Sequence, residues 1–321
     1  MAMKFGAAFW VQRTGWPELR EAVQRAEAAG FDDLWIDDHL LSDEGDWRAD
    51  KFEGWTTLAA VAAITTRPRL GLLVSANTLR NPGLTAKMVT TIDHVSGGRA
   101  ILGIGAGWFE REHEAFGFDF GSGIGERLDR LVEAVPLMRR LLDGETLTHD
   151  GPFYRFADAV CAPPPVQPHL PILIGGSGPK KTLPLVARSA DLWNAYGTPE
   201  EVAAADAILR GACAAAGRDE REIERTVNLN VVIRVSRAEA EIAWEGYLAA
   251  HLPQDDERGL SAGGTVEEVA ATLVRYRDAG FAHPILIFRT PFDHETMDRL
   301  PELRAAMGAG SGPGGTKEAG A

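Results

Sequence analysis

Cysteine is almost missing from this chain. Cys161 and Cys213 are the only two among 321 residues, and they form no spacing motif. That excludes a disulfide scaffold and a zinc ribbon and points to a reducing compartment. Basic charge is short as well: 33 lysines and arginines face 46 aspartates and glutamates, a formal net charge of −13. A chain this acidic lacks the electrostatic footprint needed to bind nucleic acid or an anionic membrane. No apolar run approaches the roughly 18 residues that span a bilayer. The start, MAMKFGAAFWVQRTG, has no typical signal-peptide core or cleavage site. A cytoplasmic protein is expected, with a small-molecule partner and a homodimer as the oligomer allowed for. Several catalytic signatures are also missing: there is no phosphate-binding GxxxxGK[ST], no HExxH, no GxSxG and no cluster at metal-ligand spacing, so no metal is expected. Cys161 lies beside a proline run with no base nearby in sequence, which argues against a catalytic thiol.

What is present is ordinary globular composition, 45% apolar and 25% charged. The length suits two domains or one α/β barrel. Short apolar runs alternate with amphipathic stretches throughout. Strands are expected at Lys4–Trp10, Leu34–Ile36, Leu70–Ser75, Ala100–Gly105, Ile172–Ile174, Leu192–Trp193, Val227–Val235 and Ile285–Phe288, each followed by a helical pattern. Pro136 should kink or divide the long helix that carries Leu128, Leu131, Val132 and Val135. Thr146–Pro168 breaks the rhythm and reads as an inserted hairpin and extended segment; Pro253–Gly264 reads as a polar loop. Eight βα units with near-continuous apolar strands predict an α/β fold, a TIM (β/α)8 barrel with insertions, over residues 1–307. A doubly wound open sheet competes, but its first βα turn would more naturally carry GxGxxG, and here it reads Trp10-Val11-Gln12-Arg13-Thr14-Gly15. The final GAGSGPGGTKEAGA, residues 308–321, is a glycine-rich tail expected to be disordered.

In such a barrel the strands' C-terminal ends form the active face. Those ends read Asp37-Asp38-His39, Ser75-Ala76-Asn77-Thr78, Gly103 to Trp108, Gly175-Gly176-Ser177-Gly178, Asn194 and Arg289-Thr290. The strongest signal is Gly175-Gly176-Ser177-Gly178-Pro179-Lys180-Lys181-Thr182. Glycines let backbone N–H groups converge on an anion just before a helix, the lysines add charge and Thr182 adds a hydroxyl. Gly103, Gly105 and Gly107 fit either close backbone approach or tight barrel packing. His39, at a strand end, fits a cofactor contact or a proton relay as well as a loop cap. Glu112, His113 and Glu114 read as a solvated helix face, because adjacent helix positions diverge; His94 and His251 read as helix-surface residues too. No side chain looks poised for acyl or phosphoryl transfer, so a cofactor is expected to supply the chemistry.

The segments Asp37-Asp38-His39-Leu40, Gly71 through Asn81-Pro82, Ser96-Gly97-Gly98-Arg99 leading into Leu102 to Trp108, and Pro171 through Gly176 resemble the luciferase-like monooxygenase superfamily. Within it they resemble the oxidoreductases that use coenzyme F420, an 8-hydroxy-5-deazaflavin. The likeness runs from about Lys4 to Met307. It implies a cofactor across the C-terminal rim, with a bulge and a non-prolyl cis peptide at Leu73–Val74 behind the ring, near Ser75 and Asn77. It places Asp38 and His39 beside the ring, His39 as the catalytic proton partner, Gly105 and Gly107 at the fourth strand end, and the phosphate at Gly175, Gly176, Ser177, Gly178, Lys180, Lys181 and Thr182. The superfamily's sugar-phosphate dehydrogenases carry a proton-donating glutamate where Trp108 stands, which argues against a hexose-phosphate substrate. The implied activity is hydride transfer between F420 and a small substrate. An FMN-dependent monooxygenase and a non-catalytic flavin or deazaflavin carrier are the alternatives.

Overall fold

A computed structural model describes residues 3–251 and 261–309. Its strands are β1 (Gly6–Phe9), β2 (Asp33–Ile36), β3 (Arg69–Leu72), β4 (Ser75–Ala76), β5 (Ala100–Gly105), β6 (Leu147–Asp150), β7 (Arg155–Ala159), β8 (Ile172–Gly175), β9 (Leu192–Ala195), β10 (Glu224–Ile233), β11 (Ser261–Gly264) and β12 (His283–Phe288). All pairings in the main sheet are parallel. The order β1-β2-β3-β5-β8-β9-β10-β12 returns to β1, so eight strands close into the expected barrel, ringed by helices. β4 resumes the third strand after an interruption at Leu73–Val74 and pairs with β5. The expected hairpin is the antiparallel pair β6–β7.

Three sequence readings change. The helix Ile124–Leu142 runs through Pro136 undivided, and a separate short helix, Glu110–Phe116, precedes it. The end of the polar loop is not loop: β11 pairs with β10 outside the ring. Residues 253–260 of that loop lie outside the described residues. The last helix reaches Ala309, past the expected start of the tail, and 310–321 lie outside the described residues too.

Alternation along the strands sends half the side chains to the surrounding helices and half into the barrel. The interior set is small: Ala8, Trp35, Leu73, Ile101, Leu173, Leu192, Ile285 and Ile287, with Trp10 and Val74 at its edge. Trp35 explains the glycines around it. A Cβ on Gly71 would stand 2.5 Å from its ring, and one on Gly6 3.0 Å from its indole nitrogen. The barrel centre therefore accommodates one large ring by removing side chains from β1 and β3.

The opposite, N-terminal mouth is closed by charge. Asp33, Arg69, Glu224 and His283 open β2, β3, β10 and β12, and Lys4 stands just before β1. Arg69 meets Asp33 at 2.6 Å and Glu224 at 3.4 Å, and Lys4 meets Glu224 at 2.9 Å. His283 lies 2.7 Å from each carboxylate, hydrogen-bonded through Nδ1 to Glu224; its Nε2 faces Asp33 without hydrogen-bond alignment. Burial works against the imidazolium, but the two carboxylates outweigh it and raise the His283 pKa. A raised histidine pKa contributes stability that is complete below the unfolded value, about 6.5, and is lost as pH rises through the folded value. Urea midpoints measured from pH 5.5 to 9 should therefore fall with rising pH in the wild type, and His283→Gln should show a shallower slope. Equal slopes in both proteins would remove His283 as the cause.

Candidate functional site

The C-terminal mouth opens into a cavity of about 830 Å³. Its wall includes Asp38, His39, Leu73, Val74, Ser75, Gly105, Gly107, Gly175, Gly176, Ser177, Gly178 and Thr182. Twelve of the fifteen residues singled out from sequence thus meet in one place. Asn77, Lys180 and Lys181 do not line it. Asn77 is buried behind the wall, where its amide donates to the Tyr154 hydroxyl at 2.9 Å. Lys181 turns outward to Asp129 at 2.5 Å, and Lys180 is exposed. Sequence order places those lysines beside the glycines, but the start of the following helix carries them away from the cavity.

The interruption of the third strand is braced from beneath. The Leu73–Val74 peptide is cis. Asp38 accepts hydrogen bonds from the Ser75 hydroxyl at 2.9 Å and the Ala76 amide at 3.3 Å, and Arg80 clamps both its oxygens at 2.6 and 2.9 Å. Burial pushes the Asp38 carboxyl up, and Arg80 offsets only part of that rise. Its oxygens are committed to protein donors, so Asp38 holds the bulge instead of reaching into the cavity. Gly105 and Gly175 also have a packing task. A Cβ on either would stand 2.8 or 3.1 Å from a Val74 methyl, so the two glycines make room for the bulge residue between them. Gly107 is different: its φ of +79° and a Cβ position 2.5 Å from the Thr78 hydroxyl both require glycine.

His39 follows β2 and points its ring at the cavity. Nδ1 meets Glu112 Oε1 at 3.2 Å, and the other Glu112 oxygen accepts from the Leu40 amide at 2.7 Å. Nε2 stands 3.8 Å from Asp43 Oδ2. Trp108 and Phe109 approach the ring edge-on at 5.4 and 5.7 Å between centroids. Burial opposes a charge on His39, but the Glu112 hydrogen bond and the Asp43 charge outweigh it and raise the pKa above the ordinary imidazole value. Below Asp43, Lys51 is buried between Asp37 and Asp43. Burial disfavours its charge, yet the two carboxylates hold the amine above its usual range.

The reading of Glu112 and His113 as solvated is overturned. Both are fully buried, while Glu110, Arg111 and Glu114 are exposed. Adjacent helix positions do diverge, by about 100°, but the short helix Glu110–Phe116 lies in a groove deep enough to cover both. His113 anchors it through Thr78 at 2.7 Å and the Phe109 carbonyl at 2.8 Å. The available signal was position: the helix starts three residues after the glycine rim. His251 also departs from the surface reading, since it lines the same cavity, with Nδ1 3.7 Å from Glu44.

The glycine loop ends at the helix Thr182–Ser189, whose N-terminus has no side-chain cap. Gly176 has φ +107°, and a Cβ on Gly178 would stand 2.8 Å from the Thr182 hydroxyl. At this helix start the Leu183 amide bonds the Gly178 carbonyl at 3.0 Å and Pro184 has no N–H, so Ser177 and Thr182, which line the cavity, are the groups placed to meet an anion near the helix N-terminus. Across the cavity, Arg289 at the end of β12 lies against Glu44 at 2.5 Å and also contacts Asn230 and Tyr247. Arg289, Asn230 and Asp43 escaped sequence reading as partners because long-range pairing leaves no local pattern.

Among the described residues no helix is long and apolar enough to cross a membrane, and no His, Cys, Asp and Glu group has the makings of a metal site. Residues 3–250 match the profile of the family described as luciferase-like monooxygenase. The F420-dependent glucose-6-phosphate dehydrogenase of Kineococcus radiotolerans is 32% identical over 312 residues, spanning 85% of this chain and 87% of that protein. The F420-dependent hydroxymycolic acid dehydrogenase of Mycobacterium tuberculosis is 32% identical over 305 residues, spanning 88% and 83%. Among solved structures, an F420-dependent secondary alcohol dehydrogenase in complex with an F420-acetone adduct shares the fold, with a TM-score of 0.84, 22% identity, and coverage of 96% of this chain and 99% of that one.

Proposed function

The chain belongs to the luciferase-like monooxygenase family, and from that premise we propose that it is an oxidoreductase using coenzyme F420 on a small organic substrate. The observation that carries this is the convergence, in one cavity, of the braced Leu73–Ser75 bulge, the His39 imidazole and the uncapped helix start after Gly178. The residues fit such a cofactor. Gly176, with its left-handed backbone, and Gly178 keep side chains away from an anion at the helix N-terminus. Leu73, Val74 and Ser75 supply one stretch of the cavity wall, and His39 lines the same cavity. When bound, the deazaflavin supplies hydride chemistry at its carbon 5. The chain's own part would be to hold the phosphate at Ser177, Gly178 and Thr182, to support the ring from the Leu73–Ser75 segment, and to exchange a proton with the substrate at His39 Nε2. Trp108 lines the cavity, and its indole N–H is too weak an acid to act as a proton donor near neutral pH, so glucose 6-phosphate is not the substrate proposed.

The cofactor is tested by titrating F420 and FMN into purified apo protein and following bound-cofactor absorbance. F420 should bind tighter and support two-electron transfer without oxygen consumption. Because Lys180 and Lys181 face away from the cavity, the double change to alanine should weaken F420 by far less than Gly176→Val, which puts a β-branched residue at a left-handed position. Tighter FMN binding, with oxygen consumed when FMNH2 is supplied, would replace this reading with the monooxygenase one. Binding without turnover of any substrate tried would favour a carrier.

A further inference from the structure

The buried carboxylates around the cavity mouth are matched with cations, with one exception. Asp38 has Arg80, Asp37 has Lys51 and Glu44 has Arg289. Glu112 is fully buried, and its ion-pair partner among the described residues is His39. A carboxylate is costly to bury without a partner, so this one is placed for the imidazole it touches. The geometry is specific. Oε2 is fixed by the Leu40 amide, one residue from His39, which leaves Oε1 aimed at Nδ1. The helix that carries Glu112 is itself pinned, because the neighbouring His113 bridges Thr78 and the Phe109 carbonyl.

We infer that Glu112 is a positioning residue for His39: it holds the proton of the neutral imidazole on Nδ1 and presents Nε2 to the cavity as the nitrogen that exchanges a proton with the substrate. The inference rests on the oxidoreductase reading above and adds the residue that sets its proton geometry. A carboxylate can only accept at Nδ1, so the neutral ring must keep its hydrogen there. Nε2 then takes a proton from the reacting substrate group, or returns one to it in the reverse direction. Two other charged groups face the ring side of this arrangement, Asp43 and, behind it, Lys51. Asp43 acts on charge alone, since its 3.8 Å separation from Nε2 is beyond a hydrogen bond.

Glu112→Gln separates this role from a purely structural one. The amide oxygen can still accept from Leu40, but its NH2 donates to Nδ1, which reverses the tautomer. Imidazole 15N spectra of the apo protein, with the His39 signals identified by their loss in His39→Gln, read the tautomer directly. The wild type should keep Nδ1–H above its titration. Glu112→Gln should move the proton to Nε2 and lower the midpoint by about 1 pH unit. Asp43→Asn should lower the midpoint and leave the tautomer unchanged. With F420 bound, kcat of Glu112→Gln should fall about 10²-fold with KM little altered, and its pH–rate limb should move with the spectral midpoint. Glu112→Asp, which keeps an acceptor, should retain the Nδ1–H tautomer and recover part of kcat. It also serves as the test should the glutamine variant not fold. A wild-type tautomer and midpoint in Glu112→Gln would overturn the inference, and so would a reversed tautomer with unchanged kcat. A wild type that turns over with no cofactor would sink the oxidoreductase reading, while the spectra still decide whether Glu112 governs His39.

Discussion

His39→Gln will lower the rate of the proton-coupled step by about 10²–10⁴-fold, the range expected when a positioned acid or base is removed. Glutamine fills much of the same space and can still donate to Glu112, so the fold should persist. The rate should also lose its pH limb. In the wild type that limb lies above the ordinary imidazole value, because Glu112 and Asp43 outweigh the burial that opposes the charge. Single-turnover rates across pH 5–9, with melting temperatures as a control, decide the point. A wild-type limb surviving in His39→Gln would assign the proton to another group, with His251, which lines the same cavity, the next to test.

Arg80→Met should be the most destabilising single change at the rim, at about 3–5 kcal/mol, because it strands a buried carboxylate. Asp38 is wholly buried and loses both guanidinium hydrogen bonds, keeping only the Ser75 hydroxyl and the Ala76 amide. Without the arginine its carboxyl must rise further, so the variant should take up a proton on folding. A group whose folded pKa exceeds its unfolded value loses stability as pH rises through that interval. The deficit in Arg80→Met should therefore be smaller near pH 4.5 than at pH 8. Asp38→Asn combined with Arg80→Met should recover a substantial part of the loss, and the double-mutant cycle gives the coupling directly. A loss below about 1 kcal/mol at pH 8 would mean that the bulge does not depend on the pair.

The barrel was legible because its signal is repetitive. Eight apolar runs, each followed by a helical pattern, leave few architectures that bury every face. The rim was legible for a related reason: strand ends are local, so the Asp38-His39 pair, the glycine loop and Ser75 could be placed by counting strands. Pairings across the rim were not. Arg80 reaches Asp38 over 42 residues and Glu112 reaches His39 over 73, and neither spacing carries a pattern. Lys181 fails in the opposite sense. Its neighbours in sequence are cavity glycines, but the turn into the helix sends its ammonium to Asp129. At Gly105 the sequence leaves ligand approach and barrel packing both open, and at Gly175 it suggests an anion loop; a Cβ on either would meet Val74, a residue that neither adjoins in the chain.

Ring closure has a consequence for how this chain is made. β1 pairs with β2 on one side and with β12 on the other. β1 therefore waits for the synthesis of everything between it and β12 before its second neighbour exists. At about 5–20 residues per second, that interval is on the order of tens of seconds. Throughout it the growing sheet has two open edges, each a row of unpaired backbone groups able to pair with another nascent chain. The Lys4–Glu224 and His283–Asp33 contacts also join early residues to late ones. The His283–Asp33 contact cannot form until β12 has been made, so completion of the barrel is the step that removes its exposure to aggregation.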